Sequence, residues 1–289
     1  MDEFKAQVTR QIGRLRCEPL NQIEAQVAQK RSAWFQKTFP HGFGQPATPR
    51  RAYETLFGDY MGLNLDEVPL VQETEDEVVW LSRNACPTLE ACQTLGLDTR
   101  CVCRAAYEKS TQAFVSQIDP RLRFLRSYTE IRPHHAHCRE MILRLDFEAH
   151  MRLAIQQAHL SRRQGNKGYG AVVVLGRRIL AQAYDTAVSE RDPSLHAEVN
   201  AIRQAVQSLG DSNLCGAILF STCEPCPMCS SLAVWANLTS IVYGVSIAET
   251  AHMGKARIRV SAQEIVAQSP ALVEVIGGVL QDECAALYA

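Results

Sequence analysis

From about residue 146 the hydrophobic pattern is regular, and its period alternates between that of a helix and that of a strand. In FEAHMRLAIQQAHLSRR (147–163), Met151, Ala154, Ile155 and Ala158 fall on one stripe, which predicts an amphipathic helix. GAVVVLG (170–176) and RILAQAYD (178–185) are β-rich runs split by a tight turn and predict an antiparallel hairpin. A helix follows over 196–210, stopping at Gly210, then a buried strand over 216–222. A helix over 226–237, a strand over 240–246, a helix over 261–268 and a strand over 271–280 complete the series. Strands alternating with crossover helices give a three-layer α/β/α domain with a mixed five-stranded sheet.

The first 145 residues have a different texture. Helix-like spacing covers 18–37, with Ile23, Val27, Trp34 and Phe35, and recurs at 87–95 and 99–117. TFPHGFGQPATPR (38–50) reads as loop, and 77–83 and 123–132 read as strands. This is an α+β domain, 1–145, placed before an α/β domain, 146–289.

Composition narrows the function. The chain has 289 residues, 46% of them hydrophobic, and a net charge of −1. A protein that grips a phosphate backbone shows a basic excess. Here the densest basic clusters are PRR (49–51) and SRRQ (161–164), which read as solvated faces, so nucleic acid is not the expected partner. No apolar run reaches the ~18–20 residues that cross a membrane. The first twenty residues are charged and amphipathic, unlike a secretory signal. Eleven unevenly spaced cysteines favour reduced thiols and a cytoplasmic location over a disulfide framework.

The candidate chemistry lies in two motifs, PSLHAEV (193–199) and STCEPCPMCSS (221–231). Cys226 and Cys229 are a helical turn apart at a helix start, where the dipole favours thiolates. His196 begins its own helix, with Asp192 or Ser194 as candidate caps. Each helix follows a strand, and the topology puts both strand ends at one sheet edge, so the helix starts can meet. One nitrogen and two sulfurs leave the fourth position of a tetrahedral zinc open for water, as in catalytic sites. The alternative is a closed structural site with Cys223 as fourth ligand; otherwise Cys223 is a buried thiol at a strand end. Glu198, two residues after His196, is placed to take a proton from metal-bound water and pass it to a leaving nitrogen.

H-x-E with P-C-x-x-C is a signature of zinc-dependent nucleobase deaminases. Residues ~147–289 resemble the cytidine deaminase-like superfamily, in the branch of guanine deaminases and tRNA adenosine deaminases, through GYGAVVV, DPSLHAEVNAIR, STCEPCPMC and VWANLTSIVYG. The resemblance implies zinc held by His196, Cys226 and Cys229, proton transfer by Glu198, ammonia release and a homodimer. It also implies substrate contacts from Tyr169, Asp185, Trp235 and the backbone N–H groups of Ala197 and Cys226, although Trp235 also suits core or dimer packing.

Two positions depart from that branch. An Asn usually stands eleven residues before the ligand His, where this chain has Asp185, as a ring contact or as a turn residue. Guanine deaminases carry an acidic pair where this chain has MGKARIRV, with Lys255 and Arg257. The substrate expected is therefore a small amino-bearing nitrogen heterocycle: a free base, a triazine-like ring or a cyclic guanidine. The alternatives are a purine base such as guanine, a tRNA adenosine, or a non-catalytic scaffold for the N-terminal domain, against which an intact Glu198 argues. NACPTLEACQTLGLDTRCVCR and RSYTEIRPHHAHCRE resemble the L-2-amino-thiazoline-4-carboxylic acid hydrolases. Cys86, Cys101, Cys103, Cys138 and His134, His135 and His137 are either a second metal or thiol site, or buried thiols beside a surface His-rich turn.

Overall fold

The computed structural model describes residues 2–44 and 47–289. The chain divides into two compact units, one ending at Leu145 and the other beginning at Asp146. No helix among the described residues is long and apolar enough to cross a membrane.

The N-terminal unit opens with helices α1 (Asp2–Cys17), α2 (Leu20–Thr38) and α3 (Pro49–Glu54), the last running into a π-helical turn, Thr55–Tyr60. Strands β1 (Leu70–Glu73) and β2 (Glu77–Ser82) precede α4 (Pro87–Leu95). Helix α5 (Thr99–Cys103) passes through a second π-helical turn into α6 (Lys109–Ser116), and β3 (Leu122–Arg126) and β4 (Cys138–Arg144) follow. The four strands form an antiparallel sheet in the order β1-β2-β4-β3. Its core gathers Tyr53, Trp80, Phe114 and Phe124. Trp80 is fully buried, and its indole N–H donates to Glu140 at 3.0 Å, which satisfies the one polar atom that burial would strand.

Three sequence expectations change in this unit. The 123–132 strand stops at Arg126, because 127–137 forms turns. Strands β1 and β4 and helices α1 and α3 were not expected. The 38–50 loop holds over the described positions 39–44, 47 and 48, whereas Pro49 already opens α3; Gln45 and Pro46 lie outside the described residues.

The C-terminal unit follows the predicted alternation closely. Helix α7 (Phe147–Arg163) starts where the Asp146 carboxylate accepts the Ala149 N–H, 2.9 Å away. Strands β5 (Gly170–Leu175) and β6 (Arg178–Tyr184) form the hairpin. Then come α8 (Ala197–Leu209), β7 (Ala217–Cys223), α9 (Pro227–Trp235) and β8 (Ser240–Val245). Helices α10 (Ile247–His252) and α11 (Ala262–Ala267), strand β9 (Glu274–Ile276) and α12 (Gln281–Ala285) complete it. Helix α8 ends as its sequence predicts, with Gly210 left-handed at φ 72°. The last strand is shorter than the 271–280 expected, and α10 and α12 were not anticipated.

The sheet order is β6-β5-β7-β8-β9, antiparallel through β7 and parallel beyond it. All seven residues of β7 are buried, as befits a central strand covered on both faces. Ala171, Val173 and Leu219 face α8, α9 and α11, while Phe220 packs against Phe147 of α7 on the other face. This is a three-layer α/β/α domain. Helix α7 lies so close to β5 that a Cβ on Gly170 would fall 2.0 Å from the Ala154 carbonyl oxygen. Gly170→Ala should therefore destabilise the protein by about 1–3 kcal/mol, because the obstruction is backbone. Thermal unfolding checks this, and an unchanged melting temperature would show that α7 moves away at no cost.

Candidate active site

Strand β5 is antiparallel to both β6 and β7, so β6 and β7 run in the same direction and end at one edge of the sheet. The chain leaves β6 toward His196 and leaves β7 toward Cys226. Both residues are helix N-caps, His196 of α8 and Cys226 of α9, and neither helix has a side-chain cap. The capping expected from Asp192 or Ser194 is not made. Asp192 instead accepts the Ser194 N–H (2.8 Å) and O–H (2.7 Å), which shapes the approach to His196.

His196, Cys226 and Cys229 come together in a near-equilateral triangle. His196 Nδ1 lies 3.6 Å from each sulfur, and the two sulfurs are 3.6 Å apart. A tetrahedral zinc with Zn–S of about 2.3 Å and Zn–N of about 2.0–2.1 Å separates its donors by about 3.5–3.8 Å. The donor types and spacing therefore fit zinc. Cys223 is not part of the triangle; it is buried at the end of β7, 3.9 Å from the Thr250 hydroxyl.

The triangle also tunes its own protons. The Cys226 thiol, hydrogen-bonded by Cys229 and beside His196, is brought down to about 4, favouring the thiolate that binds metal. His196 is raised, first by its bond to Cys226. Glu198 is 5% exposed, and burial raises its pKa. One carboxylate oxygen accepts the Ser221 hydroxyl at 3.1 Å, and the other lies 3.5 Å from Cys229 Sγ. The side chain is thus held with its second oxygen toward the donor triangle. The backbone N–H groups of Ala197 and Cys226 have no acceptor among the described residues.

Asp185 is 1% exposed. Its Oδ1 accepts the Ala187 N–H at 3.3 Å, an Asx turn, while Oδ2 is buried without a partner. Burial raises its pKa, and nearby His196 opposes that rise. Tyr169 stacks on Tyr288 with centroids 5.0 Å apart, and its hydroxyl accepts from Arg257. Arg257 also donates to Thr250 Oγ1 at 3.1 Å, and its guanidinium lies 5.1 Å from the Tyr169 ring centroid.

Trp235 is not brought to the site within one chain. It is 83% exposed, and α9 carries it nine residues beyond Cys226, about 13 Å along the helix axis. Sequence reasoning missed Glu224. This buried carboxylate accepts the Ile247 N–H (2.8 Å) and the Ala262 N–H (2.9 Å), capping α10 and α11 together two residues before Cys226. In the N-terminal unit, His135, His137 and Glu130 group within 4.8 Å, but Cys86, Cys103 and Cys138 form no such group among the described residues, and Cys101 is exposed.

Residues 144–245 match the cytidine and deoxycytidylate deaminase zinc-binding region, whose cofactor is zinc. The chain is 32% identical over 137 residues to the tRNA-specific adenosine deaminase of Bacillus subtilis (strain 168), covering 47% of this chain and 83% of that protein. It is 38% identical over 86 residues to the guanine deaminase of the same organism, covering 30% of this chain and 55% of that one. A solved structure from studies of A-to-I editing by tRNA:A34 deaminases is 28% identical, covering 48% of this chain and 98% of that one, with a TM-score of 0.43.

The donor triangle makes a direct prediction. His196→Ala and Cys226→Ala should each lose the zinc that the wild-type protein carries, by metal analysis of the purified protein. Full zinc in either variant would place the metal elsewhere.

Proposed function

Since the chain belongs to the cytidine and deoxycytidylate deaminase zinc-binding family, we propose that it is a zinc-dependent hydrolytic deaminase that releases ammonia from an amino-bearing nitrogen heterocycle. The observation that carries this reading is the three-donor triangle with a buried carboxylate beside it. Zinc, when bound by His196, Cys226 and Cys229, supplies a Lewis acid that ionises water near neutral pH. The rest falls to the chain. Glu198 is fixed by Ser221, and burial gives it a readily held proton, so it takes a proton on the attacking side and returns it to the leaving nitrogen. The unpartnered N–H groups of Ala197 and Cys226 orient the substrate beside that carboxylate.

Asp185 supports a substrate class. Its buried Oδ2 lacks a partner, and an ionised carboxylate only accepts hydrogen bonds. A ring that presents N–H donors, or a cationic amidine, satisfies it; a ring carbonyl does not. Arg257, held by Tyr169 and Thr250, puts a cation where guanine deaminases carry acids. We therefore favour a free base, triazine-like ring or cyclic guanidine over guanine, acting as a homodimer. Tyr169 enters as a support for Arg257, and its contact with substrate is secondary. A tRNA adenosine is the second reading, favoured by the 83% coverage of the tRNA-specific relative. Ammonia release from a panel of amino-heterocycles, run beside tRNA and free nucleosides, distinguishes them.

Two variants test the assignments. Glu198→Gln should keep zinc and fold but lower turnover by about 10²–10⁴-fold or more. Turnover close to wild type would remove Glu198 from proton transfer. Asp185→Asn should reorder the panel toward carbonyl-bearing rings such as guanine, since a buried mismatch costs about 1–3 kcal/mol. An unchanged order, with only stability altered, would leave Asp185 as a turn residue.

A further inference from the structure

The turns over 127–137 in the N-terminal unit carry a second group of metal-ligating side chains, which the deaminase reading does not use. Glu130, His135 and His137 each bring one ligand atom within 4.8 Å of the other two. His137 Nε2 lies 3.4 Å from Glu130 Oε2, and the His135 and His137 rings stand edge to face with centroids 4.3 Å apart. A zinc ion with Zn–N of about 2.0–2.1 Å and Zn–O of about 2.0–2.2 Å separates tetrahedral donors by about 3.3–3.5 Å. The His137–Glu130 pair is therefore already at ligand spacing. His135 is exposed, and rotation of its ring closes the remaining gap.

Backbone bonds fix this segment before any ion arrives. Across its base, the Arg139 N–H donates to the Glu130 carbonyl at 2.8 Å, and the Ser127 N–H donates to the Arg139 carbonyl at 2.9 Å. Within it, the Glu130 N–H donates to Ser127 Oγ (3.1 Å) and the His135 N–H to the Ile131 carbonyl (3.0 Å). Ile131 is buried, and Thr99 Oγ1 donates to the Arg132 carbonyl at 2.7 Å. A donor set held in place by its surroundings binds with a smaller ordering cost. The neighbouring groups leave the three donors available. Arg139 comes only to 4.0 Å from Oε1 of Glu130, so Oε2 stays beside His137. His134 is engaged elsewhere, its Nε2 3.4 Å from Asp98, and neither it nor Cys138 belongs to the group.

We infer that Glu130, His135 and His137 bind a divalent transition-metal ion of the zinc type, with its remaining coordination positions open to solvent. Two imidazoles and one carboxylate are a donor set that zinc accepts with a position left for water. With no thiolate and an exposed ligand, this site exchanges its ion with the solution, whereas the His196, Cys226 and Cys229 triangle keeps its zinc through purification. The ion ties residue 130 to residue 137 and stabilises the unit that carries them. The inference stands independently of the deaminase reading.

Isothermal titration with zinc chloride tests it, using the full-length protein loaded with zinc at the triangle and then dialysed free of excess metal. One further equivalent of zinc should bind. His135→Ala and His137→Ala should each weaken that binding by about 10–100-fold or more, the loss that even the outer partners of a metal site produce. His135 is exposed, so its variant removes a ligand without disturbing the core. Glu130→Gln should also weaken binding, by about tenfold or more. His134→Ala, one residue outside the set, should bind as the wild type does. No zinc beyond the triangle, wild-type affinity in any of the three ligand variants, or an equal loss in His134→Ala would overturn the inference.

Discussion

The direction of one strand organises the C-terminal unit. Because β5 is antiparallel to both of its neighbours, β6 and β7 point the same way, and the segments that leave them arrive together. That places two uncapped helix starts side by side, one bearing His196 and the other Cys226 and Cys229. The partial positive charge of helix N-termini suits thiolates, so topology and electrostatics favour the same cluster. Glu198 gains its position from the same arrangement. It sits in the first turn of α8, over β7, where Ser221 can hold it.

Buried charge is handled differently in the two units. Around the triangle each ionisable group has a neighbour that accounts for its state: Cys229 for Cys226, Ser221 for one oxygen of Glu198, Arg257 for the Tyr169 hydroxyl. The exception there is one oxygen of Asp185. In the N-terminal unit the imbalance lies on the cationic side, where Nε of Arg31, Nη1 of Arg126 and Nε of Arg132 are buried without a hydrogen-bond partner. Polar groups left unpaired in a packed interior carry a free-energy cost.

The donor triangle and the carboxylate beside it were legible in the sequence because His, Glu and Cys stand in two short motifs, with the two cysteines one helical turn apart. The hairpin and alternating helices were legible because β5 and β7 are continuous apolar runs while α7 carries a stripe. Strand β4 was hidden because CREMILR mixes charges with residues at home in helices, and only its pairing with β2 and β3 makes it a strand. Glu224 left no trace because its partners are backbone N–H groups, which every residue type supplies. Trp235 is the converse case: its motif position was legible, but its 83% exposure in a single chain was not.

Glu224 gives the C-terminal third of the chain a mechanical link to the metal loop. Its two oxygens tether the starts of α10 and α11, and between those helices runs the segment that carries Arg257. Pro225 then joins Glu224 to Cys226 with almost no slack. Any change in the length or path of the segment between the helices must be absorbed without moving that tether, or it shifts Cys226 in the donor triangle. The segment that we propose discriminates among rings is therefore free to vary in side chains but not in backbone, and on this scaffold a new specificity there would be reached by substitution more readily than by insertion.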